Sequence, residues 1–156
     1  MLVKDAKIYW AKVIGKPRPN KYNPDGEWSF DMTVTPELKK ALKDHGLTSK
    51  IKNNDDERGD YVTMRKKGVL KSGEQSKPIP IVDHHGETWG NELIGNGSTV
   101  NVSVLFEGYG EDPKKQKFSM KPMAIQVWDL VKFKRTDFPT KNDDGTVTDA
   151  KTGKNW

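Results

Sequence analysis

The stretch IGNGSTVNVSVLFEGY, residues 94–109, decides the fold. From Thr99 onward it alternates, with Val100, Val102, Val104 and Phe106 on one side and Asn101, Ser103, Leu105, Glu107 and Tyr109 on the other. That period of two belongs to a strand with one buried face. Gly95 and Gly97 stand just before it. Glycine there lets the chain take a positive φ or a bulge as a long polar loop is turned into a strand.

Working outward, the same pattern recurs. EWSFDMTVT (27–35) alternates Trp28, Phe30, Met32 and Val34 against Ser29, Asp31, Thr33 and Thr35. AKIYWAKVI (6–14) is β-rich with apolar groups on both parities, and DYVTMRKKG (60–68) points Val62 and Met64 inward while Tyr61, Thr63, Arg65 and Lys67 share the other face. FSMKPMAIQVWDLVKFK (118–134) closes the series as a strand or bent pair, with Pro122 requiring an edge or a bulge. One helix is signalled: Thr35 as cap, Pro36 in the first turn, Leu38, Ala41, Leu42 and His45 on one face, and Gly46 as the left-handed stop. Trp10, Trp28, Phe30, Phe106 and Phe133 are assigned to the core, while Trp89, Tyr109 and Trp128 fit core or surface equally. The sum is a mainly β chain: a five-stranded Greek-key barrel of the OB-fold type with one short helix, long basic loops and a flexible C-terminal tail. The barrel domain is expected over 1–136 and the tail over 137–156, which lacks periodicity. The helix follows the second visible strand, whereas in the usual OB fold it follows the third.

Composition narrows the function classes. The 156 residues are 33% hydrophobic and 31% charged, a modest core for one domain, and there is no cysteine to form a disulfide, a thiolate metal site or a thiol nucleophile. No apolar run reaches the roughly 20 residues of a membrane span or makes a signal peptide, so the expectation is a cytoplasmic protein with no membrane association. Neither a phosphate-binding G-x-x-x-x-G-K-[ST] loop nor a G-x-S-x-G elbow occurs. Net charge is +5 with a pI near 9.2, which points to a polyanionic partner.

Cations and aromatics interleave as single-stranded nucleic acid requires, phosphates being tracked by Lys and Arg and bases stacking on rings. The candidate set is Lys7, Tyr9 and Lys12 in the first strand; Lys16, Arg18, Lys21 and Tyr22 in the loop after it; Tyr61, Arg65 and Lys67 in the third strand; Lys71 and Lys77 beyond it; and Tyr109. No catalytic or metal residue and no cofactor is assigned. Two alternatives stay open: a single-stranded RNA-binding module on the same fold, and a metal-dependent nuclease using Asp83, His84 and His85 of VDHHG.

In order along the chain, YWAKVIGKP, EWSFDMTV, YVTMRKKG, PIPIVD, IGNGSTVNVSV and MAIQVWDLVKF resemble the T7-like single-stranded DNA-binding proteins of bacteriophages over about residues 6–134. The resemblance implies an OB fold, sequence-independent coating of single-stranded DNA in replication, recombination and repair, no cofactor, and a helix placed as a family variation. It also implies replication or recombination partners reached through an acidic tail with a terminal aromatic, a homodimer being left open. Here the tail ends in Trp156, but Asp137, Asp143, Asp144 and Asp149 are nearly balanced by Lys141, Lys151 and Lys154.

Overall fold

The computed structural model describes residues 1–133 and two short strands beyond them, Thr140–Lys141 (β7) and Val147–Thr148 (β8), which pair antiparallel. The flexible tail expected over 137–156 otherwise lies outside the described residues, as does Trp156.

Strand β1 (Leu2–Lys12) is central, flanked by β2 (Glu27–Thr33) on one side and β5 (Ser98–Tyr109) on the other. Beyond β2 lies β3 (Tyr61–Lys67); beyond β5 come β6 (Lys117–Asp129) and the two-residue β4 (Ile81–Val82), which runs parallel to β6. The order β3-β2-β1-β5-β6-β4 curls into a half-barrel that brings β3 near β6. The alternation read from the sequence sets the core: Phe30, Met32, Val62, Met64, Val100, Val102, Val104, Ile125 and Val127 all face inward and are buried. Pro122 sits opposite Val104 where the β5–β6 register slips, the bulge a proline demands in a ladder.

Helix α1 (Pro36–Asp44) lies between β2 and β3. The Thr35 hydroxyl accepts from the Leu38 N–H at 3.2 Å, and Pro36 occupies the first turn where its missing N–H costs nothing. At the other end Gly46 takes φ +69°, and the Leu47 N–H reaches the Leu42 carbonyl at 2.8 Å, the six-to-one bond that closes a helix on a left-handed residue. Leu38, Leu42 and Leu47 then plug the barrel. His45 Nδ1–H donates to the Ala41 carbonyl (2.7 Å), and the ring stacks on Phe106 with ring centroids 4.2 Å apart.

Two aromatics assigned to the core are outside it. Trp10 is 58% exposed and Phe133 53% exposed, while Trp28 and Phe30 are buried and Phe106 is half-buried. For Trp10 the cause is a β-bulge, described next. The VDHHG segment is a tight turn: the Asp83 carboxylate accepts from the backbone N–H of Glu87 and His85, and these bonds hold it below the ordinary aspartate value. Among the described residues no three His, Asp or Glu side chains converge as a metal site, and no helix is long and apolar enough to cross a membrane.

Candidate nucleic-acid interface

The site begins with one extra residue. Along β1 the register with β2 runs Tyr9↔Asp31 and then Lys12↔Ser29, three steps on one strand against two on the other. Trp10 lies within the irregularity with φ +50°, left-handed backbone that a bulky residue avoids at a cost of about 1–3 kcal/mol. A bulge re-aims a side chain, and this one turns the indole out of the barrel into solvent.

The glycine-containing loop at residues 94–98 holds it there. Asn96 accepts the Trp10 N–H on its Oδ1 at 2.8 Å, and the Gly97 N–H, from a residue at φ +88°, donates to the Ile8 carbonyl at 2.9 Å. Gly95 lies so close to the chain after β6 that a Cβ there would stand 2.2 Å from the Val131 carbonyl oxygen. The buried Ser98 hydroxyl donates to the Gly95 carbonyl at 2.8 Å and accepts from the Val131 N–H at 2.8 Å. The two glycines therefore do different work: Gly97 supplies the turn, Gly95 the close approach that brings Val131, Lys132 and Phe133 beside Trp10.

Two concavities meet at this point. A wide groove of about 570 Å³ runs past Trp10, Lys12, Arg18, Asn96, Lys132 and Phe133. A narrower recess of about 360 Å³ lies over the sheet, with Trp10, Lys12 and Arg18 as the shared wall and Ser29, Asp31, Thr63 and Arg65 as its inner part. The β1–β2 connection, residues 13–26, is fixed over the recess by Glu27. This carboxylate, 4% exposed, accepts from Asn20, Asn23 and Arg65 at 2.7–2.8 Å, while Arg18 and Glu27 exchange backbone bonds at 2.9 and 3.0 Å. Pro17 packs against Gly26 and Gly68, where any Cβ would meet the proline at under 3 Å.

Of the residues singled out in the sequence, the structure gathers Lys12, Arg18 and Arg65 around Trp10. Lys16, Lys21 and Tyr22 sit on the same connection but farther out, with Tyr22 78% exposed and the Lys21 ammonium 5.0 Å from its ring. Lys7 reaches the Thr99 hydroxyl, Lys67 is exposed at the end of β3, and Lys71 and Lys77 are exposed on the loop after it. Tyr109 is exposed at the opposite end of β5, roughly 36 Å along the strand from its start.

Tyr9 and Tyr61 are on the expected face but covered. Tyr61 is 4% exposed, with the Arg58 guanidinium 4.0 Å over its ring and its hydroxyl accepting from Asn54 at 2.8 Å. Arg58 also bridges to Asp31 at 2.7 Å and to Asp56, contacts that hold the guanidinium protonated and depress the Asp56 carboxyl. Tyr9 is 8% exposed; burial first, then the negative charge of Glu57 and Asp56, pushes its phenol above the ordinary value. Sequence reasoning overlooked Trp10, Lys132 and Phe133. The available signal for Trp10 was the adjacent Tyr-Trp pair, which cannot both face a core unless the strand slips.

Barrel, bulge and basic aromatic groove together define a class, the OB-fold-like barrel with a cationic cleft alongside its sheet. No family profile and no curated protein sequence matches the chain. Solved structures share the fold. The single-stranded DNA-binding protein from bacteriophage Enc34 in complex with ssDNA superposes with a TM-score of 0.56 at 12% identity, over 84% of this chain and 86% of that one. The gp2.5 single-stranded DNA-binding protein encoded by bacteriophage T7 gives a TM-score of 0.50 at 15% identity, over 89% and 99%. The mainly β, OB-fold-like class expected from the sequence is the observed one, with the helix after the second strand; the five expected strands are joined by the two-residue β4, and the sheet is a curled half-barrel.

Proposed function

We propose that this chain binds single-stranded DNA with little sequence preference, coating it during phage replication, recombination and repair, and that it does so without turnover. The observation that carries the reading is Trp10, strained outward on a bulge and flanked by Lys12, Arg18, Arg65 and Lys132 with Phe133 alongside. An indole exposed between cations offers a base a stacking face and its phosphates a track. The shared fold with phage proteins whose names record single-stranded DNA binding supports it. On this reading Tyr9 and Tyr61 brace the sheet, and the stacking surfaces are Trp10 and Phe133.

Titration of tryptophan fluorescence with a mixed-sequence single strand, with duplex and RNA competitors alongside, tests the proposal. Saturable quenching that salt weakens and duplex does not compete away is the expected result. Trp10→Ala should cost about 1–3 kcal/mol of affinity, the worth of one stacked base, while leaving the melting temperature near that of the wild type. A folded Trp10→Ala protein of unchanged affinity rejects the site.

A further inference from the structure

We propose that the recess beside Trp10 takes a single nucleobase and prefers one carrying an exocyclic amino group, with Asp31 as the group that reads it. The inference rests on the single-strand-binding reading above and adds a local base preference to it.

The recess offers acceptors rather than free cations. Its inner lining carries Asp31 and Glu27, 9% and 4% exposed, and the guanidinium groups that face them, Arg58 and Arg65, are each engaged in an ion pair at 2.7 Å, which leaves no unpaired cation there, among the described residues, for a phosphate. The cations Lys12 and Arg18 stand on the wall shared with the open groove. Phosphates are therefore held along the groove, and what enters the recess is a base. At about 360 Å³ it has room for one, with the indole as a wall to stack on.

Hydrogen-bond capacity then distinguishes the two carboxylates. Glu27 is nearly saturated: Oε1 accepts from Asn20 and Arg65, and Oε2 from Asn23. Asp31 holds one donor on each oxygen, Thr63 on Oδ1 and Arg58 on Oδ2, so each keeps a free lone pair. The ion pair with Arg58 at 2.7 Å fixes the plane of the Asp31 carboxylate. A carboxylate accepts from the amino group of cytosine, adenine or guanine and faces repulsion from the flanking carbonyls of thymine or uracil. Ser29 and Thr63 beside it complete a polar floor that an apolar edge would leave unpartnered.

The test needs no variant at first: oligo-dC and oligo-dU differ at the position in question by an amino group in place of a carbonyl. Binding of both to the full chain is measured in slightly alkaline buffer at one salt concentration. The expected result is about tenfold tighter binding of oligo-dC, the worth of one hydrogen bond to a charged acceptor, and a ratio near one for folded Asp31→Asn. Equal affinity of the wild type for both oligomers overturns the base preference while leaving single-strand binding intact. A preference that survives in folded Asp31→Asn overturns the role given to Asp31. Failure of both oligomers to bind overturns the underlying reading and this inference with it.

Discussion

Two residues show how narrowly the groove is specified. Gly95 has no room for a β-carbon, because the obstacle is the Val131 carbonyl and the Lys132 backbone rather than a flexible side chain. Gly95→Ala should therefore destabilise the protein by about 2–3 kcal/mol, within the range for forced overpacking, and should weaken single-strand binding as residues 131–133 are pushed from Trp10. Thermal melting and a binding titration on one preparation check both effects. Trp10 makes the complementary point about legibility. The sequence places it on a strand, and strand arithmetic sends alternate residues inward, so a large aromatic was assigned to the core. A bulge of one residue reverses that assignment for every following position, and no local residue preference announces it: the groups that stabilise it, Asn96 and Gly97, lie almost ninety positions away in the chain.

At the scale of elements, β2, β3 and α1 were readable because their determinants are local: clean alternation for the strands, and Thr35, Pro36 and Gly46 for the helix. The loops were not, since their order comes from buried polar groups that only tertiary structure supplies. Glu27 is the clearest case. Replacing it with alanine removes the acceptor of Asn20, Asn23 and Arg65 together, and should cost about 1–3 kcal/mol while opening the 13–26 connection to proteolysis, with limited digestion as the readout. The acidic loop that precedes β3 offers a pH test. Tyr9 titrates above its ordinary value of 10.0 in the folded protein, raised by burial and by Glu57 and Asp56. A raised value means that the neutral phenol is the form the fold accepts. Stability from this group is thus complete below the unfolded value and lost as pH climbs through the folded one. Melting temperature should fall on passing above about pH 10, and Tyr9→Phe should lose less over the same window.

For the molecule as a whole, charge has to be separated from charge placement. A net +5 attracts any polyanion, and a protein that bound DNA only through that attraction would use its lysines interchangeably. The folded chain argues otherwise, because acidic Asp55, Asp56, Glu57 and Asp60 gather in the loop before β3, whereas Lys12, Arg18, Arg65 and Lys132 converge on Trp10. If the three that line the open groove, Lys12, Arg18 and Lys132, neutralise phosphates, the logarithm of affinity should fall against the logarithm of salt with a slope near −2, at about 0.7 per contact for a single strand. Lys132→Ala should then flatten the slope by about 0.7, and Lys4→Ala, a change of the same charge on an exposed β1 residue beside the other bulge of that strand, should leave it unaltered. Equal flattening by the two substitutions would mean that affinity follows total charge, and the groove would lose its claim to be the track. Unequal flattening locates the phosphates along the wall that Trp10 and Phe133 share, which is where the bulge of β1 and the close approach of Gly95 to Val131 together put the exposed rings.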